Sequence, residues 1–581
     1  MGSIGGIVGG DGAPNEADRA AIGEGSIFSA ENVLFVVRPK STLAWNDHLS
    51  VAVSGHFDRT PASGQSAAQL LLDLWAARGP AALDQLDGAW VAAIYDRVAH
   101  RTWLARDPFG IRRMFFAQKG SRLAFSSRLR RLLGLSWVSR ELAREHLAEF
   151  LAFRYVHAPR TLLREVQQIP PGHLLTFDRH RLSLDPWFRI RYAPPFAPLP
   201  DETTALAELE RRLNRAVAAR SSGRQRVGVF LSGGLDSSAI ALYAAKLGPV
   251  HTFTVGVDGE EADETPYAGR VATILRTEHS VLRVHPTSYL DAVEAVVVGT
   301  DQPLTDPAAV PQYLLAKAAA PHVDVLLAGD GGDEVFGGRM VAALAGELRI
   351  SQAMKRLPGA LGRIAGRLMG GGRPELAEEG RPFGLARLVG GFQIYDAVDR
   401  GKLLRDPGWV RPGIRRATLE PLYRQVTSDP INEMLHVYLV GRMTEDALVR
   451  SGAAAGLAGL ALREPLLDLD LVSFLASTSG WWKVRNRPGE AVSKWPLRRL
   501  LRPVLGRALV NRPKRVLPGP WTRWVRGPLK GYVDERLALL KEDRLGLFMP
   551  GALDGLVERG EDQRLWMLLF LDAWCRTNGV V

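Results

Sequence analysis

The sequence predicts an α/β protein in which a sheet-rich α+β unit precedes a unit built on a parallel sheet, and three observations carry that expectation. Up to residue 184, short segments such as VAAIYD (91–96), RTWLAR (101–106), MFFAQ (114–118) and LAFSS (123–127) alternate in polarity and are separated by turns, the period-two pattern of half-buried strands. Beyond residue 202, apolar runs alternate with longer stretches of helical spacing, which lays helices on a parallel sheet. Between them DPWFRIRYAPPFAPLPDE (185–202) holds five prolines, which interrupt strand and helix alike. The expected units are residues 1–195 and 203–581.

In the first unit SAAQLLLDLWAARG (66–79) reads as a helix among the strands. The second unit opens its chemistry at RVGVFLSGGLDSSAI (226–240). Val227, Val229, Phe230 and Leu231 read as a buried strand, and Ala239, Ile240, Leu242, Tyr243 and Leu247 recur at helical spacing up to Gly248. The loop between them joins strand to helix. Gly233 and Gly234 permit a close backbone approach, and the helix N-terminus beyond offers unpaired N–H groups and the positive end of a dipole, an anion cradle. Ser232, Ser237 and Ser238 add hydroxyls, and the absence of G-x-x-x-x-G-K-[ST] excludes the common P-loop. Asp236 repels phosphate unless Mg²⁺ stands between them, so the loop reads as a site for a metal-bridged polyphosphate. Alone, it also admits the less favoured reading of a Ser/Gly turn capped by Asp236.

A second apolar run ends the same way. VDVLLAGDGGDEVFGG (323–338) places Asp330, Asp333 and Glu334 past the strand's C-terminal end. Parallel strands bring both loops to one sheet edge, where open α/β sheets bind nucleotides, so Asp236 and Asp333 are positioned to share one Mg²⁺. Taken together the two loops read as a site rather than as two turns. LMGGGRPELAEEGRP (368–382) is the segment expected to be most mobile.

Length and composition bound the rest. With 581 residues, 46% of them hydrophobic, the chain can bury more than one core. No run reaches a membrane span, since even LWMLLFLDAW carries Asp572, and MGSIGGIVGGDG lacks the basic region of a signal peptide. The single cysteine, Cys575, excludes an intrachain disulfide and makes a reducing cytoplasm the expected compartment. The net charge of +12 is spread along the chain with no nucleic-acid recognition motif beside it, so no nucleic-acid partner is expected.

LSGGLDSS (231–238), TFTVGVDGEEADETPYA (252–268), DQPLTDP (301–307) and GDGGDEVFGG (329–338) together resemble the synthetase domain of the asparagine synthetase superfamily, whose members activate a carboxylate as an acyl-adenylate. REPLLD (463–468), Lys494 in SKWPLRRLL and RPKR (512–515) continue the resemblance. GGIVGG (5–10), LDGAWVAAIYDRVAHRTWLARDPFGIRRMFF (86–116) and FRYVHAPRTLLREVQQIPPGHLLTF (153–177) resemble the same family's amidotransferase domain. The resemblance implies an N-terminal Ntn-type sandwich and a C-terminal synthetase domain like the adenine-nucleotide α-hydrolases, with ATP and Mg²⁺ as cofactors. It implies a nucleotide site at Leu231, Ser232, Gly233, Gly234, Asp236, Ser237, Ser238, Val255 and Gly329, and a metal site at Asp236 and Asp333. It puts Lys494 at the oxyanion and departing phosphate, Asp330 in the catalytic loop and Lys514 at pyrophosphate; Lys494 and Lys514 read otherwise as surface cations.

The departures from the pattern point to the substrate. Glutamine-using members carry a nucleophilic cysteine just before GIVG; here that residue is Gly5, and no nearby thiol replaces it. The glutamine-binding NGEIYN stands as SGHFDR (54–59) and DTE as SAA (66–68), so the first unit reads as a scaffold without glutaminase chemistry. Two branches resemble this loss, the β-lactam synthetases and the lasso-peptide cyclases, and both close rings with an amine of the substrate. Asp330 stands where β-lactam synthetases carry Tyr. GAAAGLAGLALREPLLD (452–468) replaces the bulkier DRMSMAHSLEARVPFLD, which reads either as an enlarged acceptor pocket or as tight helix packing. The expectation is a lasso-peptide cyclase acting on a leader-processed core peptide beside a leader-binding protein and a leader peptidase. The alternatives are an ammonia-dependent asparagine synthetase, a β-lactam or other small-molecule amide synthetase, and a non-catalytic binding protein built on this fold.

Overall fold

Alternation in the first unit produces two antiparallel six-stranded sheets in the structure, a computed structural model that describes residues 2–9, 14–30, 33–58, 64–221, 226–257, 263–355, 388, 394–487, 490–513 and 521–581. The first sheet runs, in spatial order, Gln167–Gln168, Phe115–Lys119, Arg122–Ser126, Ile4–Val8, Val33–Val37 and Ser26–Ala30. The second runs Arg181–Pro186, His173–Asp178, Arg101–Arg106, Gly88–Asp96, Leu49–Phe57 and Ser41–Trp45. Successive residues of one strand serve two cores. Val91, Ala93 and Tyr95 meet Phe35, Phe116 and Phe125 of the first sheet between the layers. Their neighbours Trp90, Ala92 and Ile94 turn outward to Leu71, Leu72 and Trp75 of the helix Ala67–Arg78, which covers the second sheet. Each fully buried aliphatic or aromatic side chain contributes about 1.5–3 kcal/mol, so a one-residue slip of register would forfeit both cores at once.

The second unit carries a five-stranded parallel sheet ordered Glu278–Val284, Val250–Val257, Val227–Phe230, Val325–Leu327, Ala461–Arg463. Its central strands are short and apolar on both faces because helices cover both sides. The helix after the glycine loop spans Leu235–Ala245, shorter than the spacing predicts: Leu247 lies beyond it and is exposed, since the chain turns at Lys246 before another turn of helix can bury it.

The stretch 452–462 also resolves into packing on one face. The helix Leu448–Leu457 lies on Ala309–Ala319, and Ala455, Leu460 and Leu462 are buried with Leu315 and Ala316. A Cβ on Gly299 would meet Leu457 at 2.2 Å, so this contact admits little bulk. A Cβ at Gly452 or Gly459 would meet open space. Of the two readings of the stretch, packing describes Ala454 and Ala455, both buried.

The sheets fall on either side of the proline-rich segment, which is where we propose the units part. That segment is nonetheless tied down: Ala193 is buried, its N–H donates to Ala476 O (2.9 Å), and its carbonyl accepts from Ser428 Oγ (2.5 Å). The segment 368–382 lies outside the described residues.

Candidate active site

The strand Val227–Phe230 ends at the loop Leu231–Gly234, whose polar groups are fixed by the loop itself. Ser232 N–H donates to Ser237 Oγ (3.1 Å), the two hydroxyls lie 3.1 Å apart, and Gly234 N–H donates to Ser232 Oγ (3.2 Å). Gly233 has φ of +69°, and a Cβ there would meet the Tyr267–Ala268 backbone at 2.8 Å, so glycine is required by both conformation and space. Arg512 braces the loop from outside, donating to the carbonyls of Gly233 (3.0 Å) and Ser232 (3.1 Å) and to Glu264 Oε1 (2.9 Å). Ser238 Oγ is buried and makes no hydrogen bond.

The second loop touches the first. A Cβ on Gly329 would stand 3.0 Å from Asp236 Cβ, and one on Gly332 would stand 2.3 Å from Asp236 Oδ1. These glycines let the acidic loop slide against Asp236, and Asp236 and Asp333 converge on one cation. That cation is the ammonium of Lys494. Its Nζ lies 2.7 Å from Asp333 Oδ1 and also pairs with Asp236 Oδ2. Burial works against the charge of Lys494, but the two carboxylates override it and push its pKa up. The lysine sits at φ +54°, ψ +43°, with its N–H donating to Gly337 O (3.1 Å). A left-handed non-glycine residue costs about 1–2 kcal/mol, a strain held here at the centre of the site.

The remaining expected residues divide. Gly329 and Asp330 lie in the acidic loop, and Val255 lies at the C-terminal end of the strand Val250–Val257, on the same sheet edge. Burial raises the Asp330 pKa, against the pull of Arg450 and a hydrogen bond with Ser451. Burial and then Asp333 raise Glu334 to about 7. Lys514 lies outside the described residues. Sequence reasoning missed Arg512, whose only signal was its place in RPKR, and Glu464, which follows the strand Ala461–Arg463 on the same edge.

The two-carboxylate donor set suits Mg²⁺, which is commonly held by one or two carboxylates plus substrate phosphates. Asp236 Oδ1 is left without a hydrogen-bond partner, and Ser238 Oγ is an unused donor at the helix N-terminus, so the residues fit a metal-bound polyphosphate.

The first unit presents a different face. The position expected to hold a nucleophile, Gly5, is the second residue of the strand Ile4–Val8, paired with Val36 and Ser126, and Ser3 O accepts from Arg38 N–H. Chain continues on both sides of it, and a Cβ there would already meet Ile22 Cγ2 at 3.1 Å. His56 and Asp58, in the altered SGHFDR, pair with each other at 3.3 Å, and Asp58 meets the buried Arg220 at 2.7 Å. Arg220 also pairs with Asp468 (3.0 Å), so it joins the two units beside a cavity of about 500 Å³ lined by Asp58, Asp84, Asp87, Asp468 and Asp470.

Residues 208–576 match the asparagine synthase family and residues 55–188 the glutamine amidotransferase domain. A Mycobacterium tuberculosis protein named "Putative asparagine synthetase (glutamine-hydrolyzing)" is 30% identical, over 77% of this chain and 69% of its own. "Asparagine synthetase (glutamine-hydrolyzing) 1" of Bacillus subtilis is 28% identical, over 86% of this chain and 78% of its own. Among solved structures, the glutamine phosphoribosylpyrophosphate amidotransferase of Bacillus subtilis aligns at 13% identity over 48% of this chain and 74% of its own, with a TM-score of 0.21, too low to argue from. Among the described residues no helix is long and apolar enough to cross a membrane. With an amidotransferase-like sandwich ahead of an ATP-using parallel-sheet domain, the chain belongs to the asparagine synthase family and is an ATP-dependent amide-forming ligase.

Proposed function

We propose that this ligase is a macrolactam synthetase of the lasso-peptide cyclase kind, and the observation that carries the reading is Gly5. A glutaminase of this fold needs a sulfur where Gly5 sits within a strand, closed in by Ile22, Phe125 and Ser126. The amine must then come from elsewhere, and a substrate that brings its own amine needs no ammonia.

In this reading Ser232 to Ser238 cradle the phosphates of ATP, with Leu231, Val255 and Gly329 along the nucleotide's edge. Asp236 and Asp333 hold Mg²⁺, which neutralises the β,γ-phosphates when bound. An Asp or Glu side-chain carboxylate of a core peptide attacks the α-phosphorus and expels pyrophosphate, the group to which the family resemblance assigns Lys514. Lys494, buried between the two loops, faces the acyl oxygen and the departing phosphate. The peptide's α-amine then attacks the acyl carbon and AMP leaves. Holding both ends of the peptide together is the largest service the site renders, since proximity can contribute several kcal/mol. A cytoplasmic leader-binding protein and leader peptidase complete the reading as partners.

The test begins by sequencing the neighbouring genes for a short precursor; incubating the purified protein with ATP, Mg²⁺ and that peptide, after leader removal, should yield AMP and a peptide lighter by one water. A second reading, ammonia-dependent asparagine synthesis, draws support from the names of the relatives. AMP release with aspartate and ammonium, and none with peptide, would establish it in place of the first.

A further inference from the structure

The protonation of the attacking amine is unaccounted for by the residues named so far. An α-ammonium has a pKa of about 8 and carries no lone pair until it loses a proton. An ordinary carboxylate is too weak a base to take that proton efficiently. Lys494 is already a cation held by two acids, and Asp330 is engaged by Arg450 and Ser451.

Glu464 has both the position and the freedom for this task. It follows the strand Ala461–Arg463, so it emerges at the same C-terminal sheet edge as the two loops. The ladder sets it beside the acidic loop: Ala328 N–H donates to Arg463 O (3.0 Å), one residue before Gly329 on one strand and one before Glu464 on the other. The turn it opens presses on the same loop, where a Cβ on Gly331 would meet Leu467 at 2.4 Å. Its side chain is 4% exposed, and Oε2 makes no hydrogen bond. The charges around it are Asp330 from the acidic loop, Arg112 and Asp107 from the first unit, Arg220 from the helix Glu202–Ser221, and Arg463 before it. The first unit's segment is rigid: Arg106 donates to the carbonyls of Arg112 (2.5 Å), Ile169 (2.7 Å) and Gly110 (2.7 Å), and Asp107 accepts from three backbone N–H groups.

We propose that Glu464 is the proton acceptor for the amine that attacks the acyl-adenylate. Its carboxylate takes one proton from the ammonium, and the freed nitrogen bonds to the acyl carbon. The carbon–oxygen bond to AMP then breaks with its electron pair leaving on the phosphate, and the nitrogen's second surplus proton leaves to water. Burial, with Asp330 adding to it, raises the carboxyl to about 8, level with the amine, so transfer between them is nearly balanced. The inference rests on the amide-forming reading, with the peptide amine as the acceptor it names.

The test separates the two half-reactions in Glu464→Gln, which keeps the shape of the protonated acid. Pyrophosphate–ATP exchange should stay within about threefold of wild type while amide formation falls about 100-fold, in the range general-base removal produces. Hydroxylamine, an acceptor already unprotonated at neutral pH, should be used at the wild-type rate. Unchanged amide formation would overturn the proposal, as would a parallel fall in exchange and amide formation. If Glu464→Gln does not fold, the pH–rate profile of Glu464→Asp decides: a shift of the limb near pH 8 supports the role, and an unmoved limb removes it. Each assay is run with the processed precursor peptide and with aspartate plus ammonium. Turnover of the second pair alone would sink the peptide reading while the Gln variant is still read on that pair.

Discussion

The two units of this chain arrange their glycines and charged side chains in very different ways. On the parallel sheet two glycine loops press together so closely that any Cβ at Gly329 or Gly332 would strike Asp236, and three charged side chains meet between them. On the sandwich, the strand Ile4–Val8 runs intact through the place where a nucleophile would stand. The contrast teaches where the sandwich makes its charged contacts. Arg112 faces Glu464, Arg113 and Gln168 meet Glu445 (3.5 and 2.9 Å), and Arg154 meets Asp446 (2.7 Å), so the first unit is joined to the second through its outer surface.

The sharpest break in that comparison comes from the acids. Asp236→Asn or Asp333→Asn should lower adenylation about 1000-fold, the scale of losing a site's main electrostatic partner, with melting temperature little changed. Pyrophosphate–ATP exchange measures it, and near-normal exchange would remove that residue from the nucleotide site. Next in size is the joint between the units. Arg220→Met removes the buried guanidinium shared by the carboxylates of Asp58 and Asp468 and should destabilise the protein by about 3–5 kcal/mol in denaturant titration. A loss under about 1 kcal/mol would show that the units do not depend on this contact.

The strands of both sheets and the two acidic glycine loops were legible because each rests on local rules: alternation for a half-buried strand, apolar runs for a buried one, glycine where a Cβ cannot fit. What escaped was whatever depends on distant segments meeting. Lys494 and Asp236 are 258 residues apart, so their pairing has no local signature. Glu464 reads in sequence as one charge among many, and only burial between Arg112 and Asp330 makes it unusual. The small-residue stretch was ambiguous for the same reason, since Ala455 gains its meaning from Leu315 and Ala316 across the contact.

That ambiguity gives a third test. Ala455→Phe should cost about 1–3 kcal/mol by overpacking, while Gly452→Leu, facing open space, should cost well under that. Equal costs in thermal melts would refute the packing assignment. A pH effect tests Glu464 directly. Glu464 holds its proton in the folded protein up to about 8 and releases it near its ordinary 4.5 when unfolded. The folded state therefore binds more protons across that window, and wild-type stability falls relative to Glu464→Gln as pH rises from 4.5 to 8, levelling above it. Parallel stability curves for the two proteins would argue against the raised carboxyl. The smallest expected effect is Gly5→Cys, which should release no glutamate from glutamine; measurable release would return the sandwich to catalysis.

The end of the helix Asp562–Asn578 and the residues after it fasten onto the first unit: Asn578 Oδ1 accepts from Arg130 Nε (3.0 Å), Val581 O accepts from Leu142 N–H (2.8 Å), and Val581 N–H donates to Arg140 O (3.0 Å). Trp566 and Trp574 of that helix share one core with Ile7, Val36 and Phe115 of the first sheet. During synthesis the first unit, ending at residue 195, therefore leaves the ribosome 371 residues before Trp566 does. Contacts so far apart in sequence form slowly and leave apolar surface waiting. The nascent sandwich carries uncovered apolar surface until the helix Asp562–Asn578 arrives, and splitting the gene at the proline-rich segment should yield two insoluble halves that fold only when made together.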